Sequence, residues 1–518
     1  MSEYRKLPRT ANTARNVRFG LIKTAVSMLF PFATRTVVIY RYGVDYLGLS
    51  SLFTSVLQVL NLAELGFGTA IVYSLYRPVA EEDWSTVRAY LNCYRRVYRM
   101  IGLAVLAIGL AILPFLPLFI KDKTIPGDLN LYYCFLIFLG NNLISYLLFG
   151  YLTAIPTAMQ RNDLLSRVDI GIVIIKNAAE IMTLLLADSF YVYLLMAPAL
   201  TVLRNLSIAA LTHRRYPNLF PEGELTGERK RDLKKRVAGL FVNKLFAVSR
   251  NSIDALCISA LIGLTMTGVY QNYFLVHSAV VAVSGVLGQS MIPGIGNAIV
   301  TETREKNYRD MRRFDFLYTA IGGWAAVCLA CLYQPFMRLW VGERMMLGWP
   351  EVFGLSVYFY ILKSGDLRWF YNEGAGLWWD CRYIALAEAA ANVALNIVLA
   401  RYLGVFGIIL ATNISLFFIN FLLCPVVLFR RYFQNGKLRE YFQDHLLYLI
   451  TLLPGGILSF FLCNLASFGT LWGFVLQLLI CTIIPGGVYY LLWHRTERCR
   501  DAMCWLRNAL LKTKPQKP

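Results

Sequence analysis

Apolar and polar positions alternate on a long scale along this chain. Runs of about 18 to 30 mostly apolar residues recur from end to end, divided by short polar stretches, and each is long enough to cross roughly 30 Å of bilayer hydrocarbon as a helix. Backbone N–H and C=O groups find no water at that depth, so every run must satisfy its own hydrogen bonds. The pattern predicts an all-α polytopic membrane protein of about 14 transmembrane helices. The spans fall at 19–41, 47–76, 100–120, 131–155, 168–187, 190–211, 238–262, 268–299, 314–337, 351–371, 383–400, 405–429, 446–466 and 471–493.

Composition agrees, with 57% hydrophobic residues in 518 and a mean hydropathy of +0.51. A net charge of +20 would suggest nucleic acid on a soluble domain, but its placement argues otherwise. Of the 51 Lys and Arg residues, 37 fall in segments on the side of the N-terminus, 5 on the other side and 9 within spans. The positive-inside bias therefore predicts both termini in the cytoplasm, with the chain a multi-pass protein of the plasma membrane and no nucleic-acid partner. The basic clusters, among them Arg229 to Arg236 and the tail from Arg495, also suit anionic lipid headgroups. Residues 1–18 are polar and basic and the following span lacks a small-residue cleavage site, so the first span is expected to stay in place.

The connections on the outer side are short, the longest near Lys121 to Asn130 and Gly342 to Pro350, which leaves no room for the catalytic loop of a membrane polymerase. The longest inner connection, 212–237, follows six spans and precedes six more of the same orientation. That predicts an N-terminal lobe at 1–211, a cytoplasmic linker at 212–237, a C-terminal lobe at 238–429, and two extra helices with a basic tail at 430–518. Parallel repeats of this kind are a transporter design with the substrate path between the halves. A faint echo supports the repeat: Tyr46-Leu47-Gly48-Leu49 opens the second span of the first half, and Met266-Thr267-Gly268-Val269 that of the second.

Ionisable residues inside spans cost about 2.5 to 3.5 kcal/mol each on insertion scales and usually face protein or water. The set is Lys23, Arg35, Glu64, Asp169, Lys176, Glu180, Arg204, Lys244, Arg250, Asp254, Lys363, Asp366 and Arg368, eight cations and five anions. Asp169, Lys176 and Glu180 form one polar stripe on the fifth span and are expected to pair structurally. Arg250 with Asp254 and Lys363 with Asp366 sit at pairing distance along a helix. Lys23, Arg35 and Lys244 have no acidic residue three or four positions away, so an unpaired cluster of these three, joined by Arg250, is expected to contact an anion. Gln58, Asn61, Asn141, Asn142, Gln271 and Asn272, with Tyr270, Tyr273, Tyr358 and Tyr360, would suit sugar hydroxyls, although helix-to-helix bonding explains such amides equally well. Substrate contact is accordingly expected from Lys23, Arg35, Lys244, Arg250, Glu64, Asp254, Lys363, Asp366, Arg368, Asn61, Gln271 and Asn272.

Other chemistry is sparse. The eleven cysteines lie mostly within spans or on the inner side and read as reduced packing residues. Four scattered histidines, no phosphate-binding glycine loop and no serine elbow or HExxH motif argue for a non-enzyme with no catalytic residues, no metal and no cofactor.

The line from Leu47 to Gly68, LGLSSLFTSVLQVLNLAELGFG, resembles the second-helix signature of the polysaccharide-unit flippases of the multidrug/oligosaccharidyl-lipid/polysaccharide exporter superfamily. Lys234 to Leu240 leading into Ser249 to Asp254, and Glu373 to Trp379, are similar to bacterial members for polysaccharide biosynthesis. The resemblance runs over nearly the whole chain. It implies two six-helix lobes in a V plus two C-terminal helices, and alternating access to a cationic central cavity. The substrate it implies is a polyprenyl-diphosphate-linked oligosaccharide, with polysaccharide polymerase machinery as a partner. Cavity cations that meet the diphosphate in the family correspond to Lys23, Arg35 and Arg250. A multidrug exporter of the same superfamily, a lipid II flippase and a non-transporting scaffold are the alternatives.

Overall fold

The computed structural model describes residues 9–511 apart from 65, 122–124, 378 and 467–468; the side chains at 239–251, and at a few other helical positions, also lie outside the described residues. Among the described residues there is no strand. Seventeen α-helices follow one another: α1 (Arg9–Arg41), α2 (Val44–Leu60), α3 (Phe67–Ala80), α4 (Trp84–Ile112), α5 (Leu131–Leu147), α6 (Ala154–Ala158), α7 (Asn162–Leu186), α8 (Phe190–Arg215), α9 (Gly227–Leu261), α10 (Leu264–Thr301), α11 (Arg304–Trp340), α12 (Trp349–Gly374), α13 (Arg382–Ser415), α14 (Leu422–Leu428), α15 (Leu438–Leu465), α16 (Leu471–Trp493) and α17 (Glu497–Leu511).

These helices make up an all-α polytopic membrane fold of about 14 spans. Two spans are broken between helices. Between α2 and α3 a 3-10 turn at Asn61–Glu64 is followed by Gly66 at φ 89, a left-handed conformation that favours glycine. Helices α5 and α6 bend by 55°. Helix α13 holds one span and begins the next, divided at Gly404 with φ 58, and α14 continues the second. Among the described residues seven helices are long and apolar enough to cross a membrane unaided, or eight if the bent pair is counted. Helix α7 falls short because it carries Asp169, Lys176 and Glu180.

Helix starts follow cap chemistry. The Asp83 side chain accepts from Thr86 N at 3.0 Å to cap α4, and Asn130 accepts from Tyr132 N and Tyr133 N to cap α5. Prolines inside α1, α8, α11, α15 and α16 are tolerated because neighbouring helices can satisfy the freed carbonyls.

The chain divides into two compact units, Met1–Gly268 and Val269–Pro518. Helix α9 follows the 212–237 connection, yet it packs on α2 and α3, so the seventh span belongs with the first six in one unit. Within that unit α1 lies along α7, and α5 along α8. Each of the two echoed glycines meets backbone just ahead of the other's motif. A Cβ on Gly48 would stand 2.1 Å from the Leu264 carbonyl oxygen, and one on Gly268 would stand 2.5 Å from that of Val44. Thr265 also donates to Asp45 at this crossing. The echo in sequence is therefore a reciprocal backbone contact. In the second unit α11 is the hub, packed by α12, α15, α16 and α17. Its N-terminal end joins an aromatic cluster that includes Tyr308, Tyr371, Phe429, Phe433 and Tyr441.

A polar cavity in the first unit

Span two carries Ser50, Thr54, Gln58 and Asn61 at spacings of four, four and three, which places them on one helical face. That face borders a cavity of about 370 Å³, within the usual range of about 300 to 1,000 Å³ for small-molecule sites. Opposite it stand Asn141 and Asn142 of α5, Lys176 and Glu180 of α7, and Tyr193 of α8. Leu57, Ile137, Phe138, Leu194, Ala197 and Pro198 complete the wall. The lining thus mixes hydroxyls, amides and a phenol with flat apolar surface and one ion pair.

Some of these groups are tied down. Ser50 and Thr54 donate to the carbonyls of Tyr46 and Ser50 at 2.9 and 2.8 Å, which points their hydrogens into the helix and leaves oxygen lone pairs to the space beyond. Asn61 and Asn142 exchange amide bonds of 3.2 and 2.7 Å. Thr201 donates to Asn141 Oδ1 at 2.7 Å, and Ser252 donates to Gln58 Oε1 at 2.7 Å, so both amides have their oxygens engaged. Lys176 Nζ stands 3.5 Å from Glu180 Oε1, with the lysine side chain 42% exposed and the glutamate 8%.

At the end of the polar face, the break in span two seats Glu64. Its carboxylate accepts from Tyr98, and from Tyr146 with O to O of 2.9 Å. Tyr94 donates to Tyr98 at 2.9 Å, and the Tyr146 hydroxyl also lies 2.8 Å from Asn61 Oδ1. Three phenols and an amide pair therefore brace the broken turn beside the cavity.

Several expectations change. Lys23 is not unpaired: its Nζ lies 2.6 Å from Asp169 Oδ2, and Arg204 Nε lies 2.7 Å from Asp169 Oδ1. The partner comes from another helix, which spacing along one helix could not reveal. Asp169 is accordingly held by Lys23 and Arg204 and not by Lys176, so only Lys176 and Glu180 of the expected stripe pair along α7. Arg35 is half-buried and lies within electrostatic reach of Tyr193 on the cavity wall. Lys244 and the Arg250 side chain, with its expected link to Asp254, lie outside the described residues; Asp254 itself is buried on α9.

The remaining expected residues belong to the second unit and are not gathered at one point. Lys363 pairs with Asp366 at 2.8 Å, and Tyr318 donates to the same carboxylate oxygen at 3.0 Å. Arg368 is 3% exposed; it donates to the Phe421 carbonyl at 3.1 Å and to Asn420 Oδ1 at 2.6 Å, and Asn420 donates on to Glu388 at 2.7 Å. Asn272 is buried and Gln271 half-buried on α10. Tyr273 donates to Gln334 and accepts from Leu347 N, which makes it a helix-to-loop tie.

Two buried acids within the predicted spans escaped the sequence reading. Asp315 sits 3.0 Å from His445, and Glu388 bonds Asn420, so the surplus of interior cations is smaller than eight against five. The signal that marked the cavity was present in the sequence as the four-four-three polar spacing of Ser50, Thr54, Gln58 and Asn61.

No protein-family model matches the chain, and a comparison with curated proteins finds no match. Solved structures do match. A lipid II flippase, MurJ, in an inward closed conformation superposes with a TM-score of 0.64 at 14% identity, covering 92% of this chain and 99% of that one. An inward-facing multidrug resistance MATE transporter of the MOP superfamily gives 0.59 at 12%, covering 81% and 99%. A MATE transporter of Vibrio cholerae gives 0.53 at 13%, covering 84% and 100%. At such identities the likeness is one of fold: this chain has the fold of the MOP-superfamily transporters.

Proposed function

We propose that the protein is a flippase that carries polyprenyl-diphosphate-linked oligosaccharide units across the bacterial plasma membrane for surface polysaccharide synthesis, by alternating access. The observation that carries this reading is the cavity lining. Amides, hydroxyls and a tyrosine suit the hydroxyl-rich faces and apolar ring faces of sugars. Among the described lining residues the charges are Lys176 and Glu180, which neutralise each other, and a lining without net negative charge speaks against a multidrug exporter of cations.

The anionic end of the substrate needs fixed cations in place of water. Lys23 and Arg204 share a single carboxylate, Asp169, and so leave one positive charge over. We assign diphosphate contact to Lys23 together with Arg35, Lys244 and Arg250, all of the same unit, with Arg able to grip phosphate oxygens in pairs. Lipid II shares both the diphosphate and a sugar head, and the fold likeness to a lipid II flippase makes it the second reading.

Both readings place the termini in the cytoplasm, so a reporter after Asn218 is expected inside and one after Pro126 outside. The function is tested in reconstituted vesicles holding fluorescent lipid-linked sugar, with an external glycosidase cutting only the exposed leaflet. The protein should render the whole pool cleavable, for short-chain surface oligosaccharide lipids faster than for lipid II. Protection of half the pool, as in protein-free vesicles, defeats the flippase reading, and preference for lipid II selects the second reading.

A further inference from the structure

In the second unit three sulfurs converge that lie far apart along the chain. Cys331 of α11, Cys463 of α15 and Cys481 of α16 are each at most 3% exposed, and their Sγ atoms all lie within 4.8 Å of one another. Cys463 and Cys481 bring theirs to 3.4 Å. Small residues let the helices approach this closely: a Cβ on Gly455 of α15 would stand 3.1 Å from Pro485 Cα of α16, and one on Gly323 of α11 would stand 2.8 Å from a methyl carbon of Leu452 of α15.

Each contact is pinned by a side chain of the neighbouring helix. Gln477 of α16 donates to the Cys463 carbonyl at 2.9 Å, and Trp324 of α11 donates to the Cys481 carbonyl at 3.0 Å. The sulfurs are therefore held by backbones that cannot slide independently. Preorganised ligands supported in this way are what a metal site requires.

We propose that Cys331, Cys463 and Cys481 form a three-sulfur site for a soft monovalent cation, Cu(I). Thiolate sulfur selects soft ions. Zinc would complete a tetrahedron with a fourth ligand, and among the described residues no histidine or carboxylate joins the three. Cu(I) accepts three-coordinate sulfur. Charge favours the same ion, because one Cu(I) bound to three thiols with release of one proton leaves a neutral centre, the state that a low-dielectric surrounding prefers. No electron is transferred in that exchange.

A small opening beside Gln477 offers the ion an approach. An opening of about 10 Å³, bordered by Pro335, Arg338, Thr470 and Gln477, has room for about one water and ends on the same Gln477 that holds Cys463. The Arg338 charge at its rim pairs with Glu343 at 3.2 Å, which lowers the barrier to a cation.

The test uses the purified full-length chain in detergent, reduced and kept free of oxygen, titrated with Cu(I) against bicinchoninate as competing chelator. The wild type should retain one Cu(I) per chain more than the C331S/C463S/C481S variant, and X-ray absorption at one equivalent should report three sulfur neighbours. Each single Cys→Ser change should weaken retention at least tenfold, whereas Cys134→Ser, in the first unit, should leave it unchanged. If the triple variant is poorly folded, the thermal midpoint decides: Cu(I) should raise it in the wild type and not in Cys331→Ala. Equal Cu(I) retention by wild type and variants overturns the site. So does a two-sulfur spectrum, or a Cys463–Cys481 disulfide that persists in the reduced protein.

Discussion

The two units treat the charges of their predicted spans differently. In the second unit the ions of the predicted spans each meet a partner of the same unit. Lys363, Asp366 and Tyr318 satisfy one another, Arg368 is spent on a carbonyl and on an asparagine that carries the link to Glu388, and His445 faces Asp315. In the first unit Lys176 and Glu180 border an open cavity at a loose 3.5 Å, and Lys23 shares its carboxylate with a second cation while 43% exposed. An ionisable residue within a span therefore does not mark a substrate path by itself. Incomplete closure beside a cavity is the better mark.

The sharpest way to break this comparison is to remove a closed ion from the second unit. Arg368→Ala strands the Asn420 and Phe421 acceptors at a site only 3% exposed, and losing one partner of such a buried charged network costs about 3–5 kcal/mol. Folded yield should collapse, read by size-exclusion profile and thermal midpoint in detergent. Well-folded Arg368→Ala protein that no longer flips would instead move Arg368 into the substrate path. Lys363→Ala should behave similarly, and Lys363→Ala with Asp366→Ala should recover part of the loss because the stranded carboxylate is removed.

A charge-free variant sharpens the contrast from the side of packing. At the reciprocal crossing of the first unit the atoms nearest each glycine are carbonyl oxygens, which have no rotamer to change. Gly48→Ala and Gly268→Ala should each cost about 1–3 kcal/mol, seen as a lower thermal midpoint, while Gly20→Ala and Gly171→Ala, with nothing within 4 Å, should be silent. Equal midpoints for all four would deny the crossing.

Next in size, the cavity pair should affect transport and not folding. Lys176 is 42% exposed and no longer has Asp169 to hold, so Lys176→Ala should keep its yield but lower flipping about tenfold, equivalent to about 1.4 kcal/mol. Asn61→Ala and Asn141→Ala should act in the same direction. Unchanged flipping by Lys176→Ala with Asn141→Ala would exclude the cavity as the sugar site.

Much of this was legible in the sequence for physical reasons. Hydrocarbon thickness fixes the length of a span and lipid forbids open backbone, so the helical class and about 14 spans follow from apolar runs alone. Pairs along one helix, such as Lys363 with Asp366 and Lys176 with Glu180, follow from the helical repeat. Lys23 with Asp169 does not, because two helices distant in sequence must first be laid side by side. The three sulfurs failed for the same reason, since their meeting depends on glycines at helix crossings. The cavity was half-visible: Gln58, Asn61, Asn141 and Asn142 were in view, but a buried amide that ties two helices and one that faces a ligand look alike until the space beside them is known.

The smallest effect is expected where the same carboxylate chemistry meets water. Asp83 caps α4 outside the membrane, accepting from Thr86 N at 3.0 Å and from the Ser85 hydroxyl at 2.7 Å. The Thr86 and Ser85 hydroxyls and the Thr86 amide favour the ionised form and bring its pKa down from 3.8 to about 2. A carboxyl group whose folded value lies below its unfolded one contributes stability that is fully present above pH of about 4 and is lost as the pH falls through about 2. With its side chain 35% exposed, the group is screened by solvent, and Asp83→Ala should cost about 1 kcal/mol or less, the usual range for a lost cap. Amide hydrogen exchange in the first turn of α4 should quicken in Asp83→Ala at neutral pH and in the wild type only below about pH 4, while Asp83→Asn, able to accept the same bonds without titrating, should flatten that pH dependence. Exchange that is equally slow in all three would mean that the helix start is held by packing alone. A loss as large as that of Arg368→Ala would erase the distinction between charges closed inside the bundle and charges that water can relieve.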